Sequence, residues 1–287
     1  MHASRTLRAA AAVLAVSAAG AAAEAAATSE AGPPARVVSL NLCTDQMALL
    51  LAAPAQLVSV SFLAHDPSAA VLWRRARGIP GNHGLAEQVF PLAPDLVLAG
   101  AFTSRATVAM LRRLGVRVEE FPLENDFDDI RANLRRMGAL LGAGDRAEAL
   151  VAELDAGLAE AAPPEGARRP RAAPYYAAGF TSGAGSLADE IIRAAGLRNI
   201  AAERGLRGMT RLPVEVLAME APELLITGAP MDPPALAQAA PEHPALRAAR
   251  GAGGAAALTG PHWTCGAPFT AEAVRRLAEA RAALPHP

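Results

Sequence analysis

The chain has 287 residues, 52% of them hydrophobic and 19% charged, with a formal net charge of −1. That length accommodates one large domain or two lobes. The near-neutral balance excludes a nucleic-acid binder, which needs a basic field to meet phosphates.

Residues 1–23 read as a secretory signal peptide. Arg5 and Arg8 give a positive start, residues 9–19 are a short apolar run, and Ala21, Ala22 and Ala23 offer a small-residue cleavage site before Glu24. The run is too short and too alanine-rich for a good membrane span. No cysteine follows it, so a cleaved, exported product without a lipid anchor is expected. Removing this segment takes away two arginines and no acid, which moves the net charge to −3. Residues 24–35 form a flexible arm rich in Ala, Gly and Pro.

Residues 36–125 are expected to make an N-terminal lobe. The runs 37–40, 57–61, 96–99 and 116–120 are short, branched and bounded by turn formers, as buried parallel strands are. Helical patterns lie between them at 45–51 and 104–114, with Thr44 or Asp45 as the expected cap of the first. Residues 126–162 form a helical connector. Its first part ends at the break of Gly142 and Gly144, and Asp145 is the expected cap of the second. Residues 163–170 are a linker, and 171–287 a C-terminal lobe with strands at 171–177, 223–226 and 255–258 and helices at 187–195 and 271–283. The expected fold class is α/β: two doubly wound lobes with parallel sheets, joined by a single long helix.

An internal repeat supports two lobes of one plan. Residues 86–101 read AEQVFPLAPDLVLAGA and residues 214–229 read VEVLAMEAPELLITGA. Each carries a glutamate (Glu87, Glu215), a proline seven residues on, an acid, and an apolar run closed by Gly-Ala. Two such lobes create a cleft, and clefts hold small ligands.

Ligands of open parallel sheets sit beyond the strand carboxyl ends, which singles out the loops there. Asn41, Leu42 and Cys43 form the first such loop, and the backbone N–H groups at the following helix start suit an anion. Phe62, Phe102, Phe121, Phe180 and Trp263 follow expected strands, and Tyr175 and Tyr176 end another. Among them Phe62, Phe102, Tyr176, Phe180 and Trp263, with Thr103 beside them, would line an apolar cleft suited to a flat cargo, or else cap the core. Arg105 and Arg207 lie near cleft loops and could pair with carboxylates, or stay solvated. His65, His83 and His262 share those loops, but no His, Asp or Glu cluster has metal-ligand spacing. Cys43 and Cys265 face the cleft from opposite lobes, and three readings stand for them: a disulfide, ligation of a cargo metal, or inert burial. No G-x-S-x-G turn is present, and GAGS (183–186) lacks the lysine of a phosphate loop. No catalytic residue, resident cofactor or metal is expected. A thiol-dependent or cargo-modifying enzyme and a receptor for a free metal ion are the alternatives.

Taken in order, RVVSLNLCTDQ (36–46), AEQVFPLAPDLVLAG (86–100), DDIRANLRRMGALLGAGDRAEALVAELDAGL (128–158), GAGSLADEIIRAAGLRNIA (183–201) and HWTCGAPFTAEAVRRLAEA (262–280) resemble the periplasmic substrate-binding proteins of ABC importers for iron chelates, haem and vitamin B12. These have two lobes joined by one long helix. The two cysteines depart from the best-known members. The resemblance implies a monomeric receptor for a metal chelate, serving an inner-membrane ABC permease and its ATPase. It also implies that Glu87 and Glu215, one atop each lobe, dock onto permease arginines. On residue type alone, either could be a helix-start acid facing the macrodipole.

Overall fold

The computed structural model describes residues 32–228, 243–249 and 255–285. The expected signal peptide and most of the arm lie outside the described residues.

Two separate parallel sheets are present. The N-terminal sheet has the order β3-β2-β1-β4-β5. Its strands are β1 (Val37–Ser39), β2 (Leu57–Ser61), β3 (Gly81–Asn82), β4 (Leu96–Gly100) and β5 (Val118–Phe121), and every pairing is parallel. The C-terminal sheet has the order β11-β10-β6-β8. It comprises β6 (Arg171–Pro174), β8 (Arg198–Asn199), β10 (Leu224–Gly228) and β11 (Ala255–Thr259), again all parallel. A small antiparallel pair, β7 (Phe180–Ser182) with β9 (Met209–Arg211), sits beside it. The main expected strands occur within three residues of their expected bounds, and 57–61 with the same bounds. The short strands β3, β7, β8 and β9 add to them.

Side-chain alternation along the strands divides the core. Val37, Leu96 and Leu98 point to one face of the N-terminal sheet, and Val38, Val97 and Ala99 to the other. In the C-terminal sheet Ala172, Leu224 and Ile226 oppose Ala173 and Leu225 in the same way. Both faces are covered, as parallel sheets require. The clusters on the outer faces are private to each lobe. The inner cluster is shared: Leu96 of one sheet and Ile226 of the other belong to one continuous apolar core.

That shared core is built by helices α1 (Leu42–Leu51), α2 (Phe127–Leu141), α3 (Gly144–Ala161), α4 (Leu187–Ala194) and α5 (Thr270–Ala282). Ile130, Leu134, Met137 and Leu141 make the buried stripe of α2, and Leu150, Val151 and Leu154 that of α3. The connector is thus two helices. α2 packs on α1 of the N-terminal lobe, while α3 packs against α5 of the C-terminal lobe and alone makes the crossing.

Two expected caps differ from those observed. Helix α1 begins at Leu42, and the Asn41 side chain accepts the Cys43 N–H at 2.9 Å; Thr44 and Asp45 are buried inside the first turn. Helix α3 begins at Gly144 behind Ala143, with no side-chain cap, so Asp145 lies one residue inside the helix. There its charge faces the positive end of the dipole instead of bonding a free N–H.

Candidate functional site

In the N-terminal sheet strand order reverses between β1 and β4, and in the C-terminal sheet between β6 and β10. Such switch points open crevices at the strand carboxyl ends, because the connections leave in opposite directions. At the first, Asn41 fills the crevice. A Cβ added to Gly100 would lie 2.6 Å from Asn41 Cγ, so the absence of a side chain there lets the cap approach. Thr103 closes the neighbouring loop, with Oγ1 accepting the Gly100 N–H at 2.9 Å. At the second switch point, β6 ends at Pro174, and Tyr175 and Tyr176 follow it.

The aromatic candidates separate by exposure. Phe102 is 80% exposed and Phe62 50%. Phe62 stacks on His83 with ring centroids 4.9 Å apart. Phe180 is half-buried beneath the Arg211 guanidinium, 5.0 Å from its centroid. Tyr176 is half-buried, and burial pushes its phenol above the usual range. Three other aromatics belong to the interior. Phe121 is buried under Arg136. Tyr175 is buried and donates to Leu212 O at 3.2 Å. Trp263 is only 9% exposed, joins the shared core, and donates from Nε1 to Tyr176 Oη at 3.4 Å. It backs Tyr176 and offers no free stacking face.

Each of the three candidate histidines packs against a neighbour, His83 against Phe62. His65 Nε2 lies 3.2 Å from Ala76 O and 3.1 Å from Ile79 O. His262 meets Phe269 edge-on, and burial lowers its pKa. Among the described residues no group of three His, Cys, Asp or Glu side chains could hold a metal ion. Arg105 opens the helix of residues Arg105–Arg113 and is exposed; Arg207 is exposed beside Gly185, near β9. Leu42 is buried with Ala70 and Cys265.

Of the three readings for the cysteines, the disulfide holds: Cys43 and Cys265 are bonded, with Cα atoms 5.1 Å apart. Both chain cysteines are consumed, which leaves no thiol to ligate a cargo metal or to serve as a nucleophile. GAGS forms a cap instead of a phosphate loop, with Ser186 Oγ accepting the Asp189 N–H at 3.2 Å.

Sequence reading missed Asp45. It is fully buried beneath the first switch point and accepts from the Ser61 N–H at 3.1 Å and from the Ser61 hydroxyl. Burial pushes its pKa up to about 6. Its place one turn into α1, after a capping asparagine, was the available signal. A 460 Å³ groove lined by Ala48, Ala52, Leu57, Arg75, Ile79 and Pro80 lies at the strand amino ends, away from the cleft.

Glu87 and Glu215 are both exposed, each in the first turn of a short helix, Ala86–Val89 and Val214–Glu220. Exposed apolar side chains flank them: Leu85 and Phe90 beside Glu87, and Met219 beside Glu215.

The family described as periplasmic binding protein matches residues 37–250. A cobalamin-binding protein of Halobacterium salinarum is 32% identical over 204 residues, 69% of this chain and 55% of that protein. The chain thus spans about half the length of the curated relatives it matches. Among solved structures, the periplasmic haem-binding protein RhuT of Roseiflexus sp. RS-1 superposes with a TM-score of 0.67 at 22% identity, covering 87% of this chain and 98% of that one. The periplasmic vitamin B12 binding protein BtuF of Vibrio cholerae superposes with a TM-score of 0.67 at 20% identity, covering 86% and 96%. At these identities the likeness is one of fold: parallel α/β sheets of the class III periplasmic binding protein type.

Proposed function

The chain belongs to the periplasmic binding protein family, and from that premise we propose that it is an exported, monomeric receptor for a metal chelate. It takes a ferric siderophore, haem or cobalamin into the cleft between its lobes and delivers it to an inner-membrane ABC permease and its ATPase. The observation that carries this reading is the pair of exposed glutamates, one on each lobe in the same repeated phrase; the cargo cleft is expected at the two switch points. Two like charges on separate bodies make a two-point key that orients a partner, and exposed charge speeds encounter. The 32%-identical relative supports a corrinoid as cargo.

Capture requires no bond making. Phe62, Phe102, Tyr176 and Phe180 supply apolar faces for a broad ring system. Asn41 and Thr103 supply polar contacts, while the Cys43 N–H is already held by the Asn41 side chain. Arg105 and Arg207 meet acidic groups of the cargo. The cleft's donor set suits a metal already wrapped in an organic chelator.

The test is titration of the purified protein with cyanocobalamin, haem, ferric siderophores and chelator-free metal ions, followed by tryptophan emission. Saturable binding of one chelate is expected. Binding of bare ions alone would replace this reading with a free-metal receptor. For docking, Glu87→Arg with Glu215→Arg should abolish uptake in cells and leave chelate affinity unchanged. Lost affinity would refute the docking role.

A further inference from the structure

We infer that the loop carrying Trp263, although it belongs to the C-terminal lobe, is clamped to the N-terminal lobe by the Cys43–Cys265 bond and the Glu124–Gly266 contact, which together set the spacing of the cleft walls. The inference rests on the proposed cargo site only in naming what the spacing serves.

Cys43 lies in the first turn of α1, at the strand carboxyl end of the N-terminal lobe. Its partner is 222 positions away. The bond is therefore a second covalent crossing between the lobes, independent of α3. One crossing leaves rotation about that crossing free, whereas two crossings far apart in the sequence remove most of it. Cys265 is 1% exposed and packs with Leu42 and Ala70, so the bond sits in an apolar seam.

One residue on, Gly266 meets the N-terminal lobe with no space to spare. A Cβ there would lie 2.5 Å from Ile130 Cγ1 and 2.7 Å from Glu124 Cγ. The Glu124 carboxylate accepts from Asn133 Nδ2 at 2.8 Å, which fixes the side chain against Gly266. Behind these contacts Thr270 Oγ1 accepts the Ala267 N–H at 3.1 Å and donates to Cys265 O at 3.3 Å, which stiffens the loop against α5. Ahead of them, Trp263 Nε1 holds the Tyr176 hydroxyl. A chain of contacts thus runs from α1 and α2 of one lobe through residues 263–266 to Tyr176 in the opposite wall. Cys43, Cys265, Glu124 and Gly266 are positioning residues: they act on the cargo through Trp263 and Tyr176.

The test compares full-length oxidised protein with Cys43→Ser/Cys265→Ser by hydrogen exchange and by affinity for cyanocobalamin and haem. Exchange of the amides of 263–267 should rise at least about ten-fold, with both sheets unchanged. Whichever of the two chelates binds the wild type should bind the variant about ten-fold more weakly, because the walls are no longer pre-organised. Should the variant not fold, the folded wild type is reduced with a phosphine, which consumes one phosphine and one water per bond and leaves two thiols. Gly266→Ala, with the bond intact, should also raise exchange in 263–267. Exchange in this loop that stays at the wild-type rate after the bond is removed overturns the clamp. If no chelate binds the wild type, the cargo reading falls, and the exchange comparison still decides the clamp.

Discussion

The two copies of the glutamate phrase share a turn and differ in what surrounds it. In each, the residue before the proline adopts the left-handed conformation without being glycine, Ala93 at φ 44° and Ala221 at φ 46°. In each, an arginine at the start of a central strand binds the turn. Arg36 donates to Leu92 O at 3.0 and 2.7 Å, and Arg171 donates to Glu220 O at 3.0 Å. The acid after the proline takes that arginine's backbone N–H, Asp95 at 3.0 Å and Glu223 at 2.9 Å. A left-handed alanine is strained by roughly 1–3 kcal/mol and persists only where its surroundings over-determine it. The same two bonds do so in both lobes. Only the C-terminal copy adds charge, because Arg171 also pairs with Glu203 and Glu220 while Arg204 and Arg168 join the network. Duplication of a plan therefore repeats backbone devices more closely than the side chains around them.

The largest expected effect separates the lobes at their close-approach glycines. A Cβ on Gly183 would lie 2.1 Å from the backbone oxygen of Leu206, whereas one on Gly100 meets the movable side chain of Asn41. Denaturant unfolding should show a loss of about 3 kcal/mol or more for Gly183→Ala. Gly100→Ala should lose about 1 kcal/mol, the value of the displaced cap. Equal losses would erase the distinction.

Next is the pH dependence that Asp45 confers on the N-terminal lobe. Its carboxyl sits at about 6 against an ordinary 3.8, so the folded chain binds this proton more tightly than the unfolded one. The resulting stabilisation is complete below about pH 4 and is lost as pH rises through 6, on the order of 3 kcal/mol. Asp45→Asn should flatten the stability curve over that window. An unchanged slope would show that another group sets it.

Smaller effects sharpen the comparison of the turns. Arg171→Ala should cost about 2 kcal/mol and Arg36→Ala about 1 kcal/mol, since only the first strips partners from several charged groups. Thermal unfolding of both variants checks the order, and a larger loss for Arg36→Ala would reverse it. Glu272 lies at about 2, held down by hydrogen bonds from Arg275 and Arg276 on the exposed face of α5. The stabilisation it adds is present above about pH 4.5 and fades as pH falls through 2. Solvent screening keeps Glu272→Gln within about 1 kcal/mol at neutral pH.

The strands with continuous apolar runs were legible, because burial on both faces writes itself as an unbroken stretch of branched residues. The strands β3 and β8 carry no such run. Gly81–Asn82 and Arg198–Asn199 are two residues each, and the side chains of Asn82 and Asn199 secure them by hydrogen bonds to Ser39 O and Ser182 O. The exposed glutamates were legible through repetition. The division of the aromatics was not: Phe102 and Trp263 each follow a strand by a few residues, yet one is open to solvent and the other enclosed. Local pattern reports distance from a strand end, and burial depends on what arrives from elsewhere in the chain.

Taken alone, the order of residues determined a pair of related α/β halves, their parallel strands, the helical bridge and the repeated acids, since each follows from periodicity or recurrence along the chain. Tertiary structure alone decided that Cys43 meets Cys265, that Gly266 has no room beside Glu124, and that Asp45 lies out of reach of water. Those outcomes depend on contacts between segments as much as 222 residues apart, and no local pattern encodes which distant surfaces come to touch.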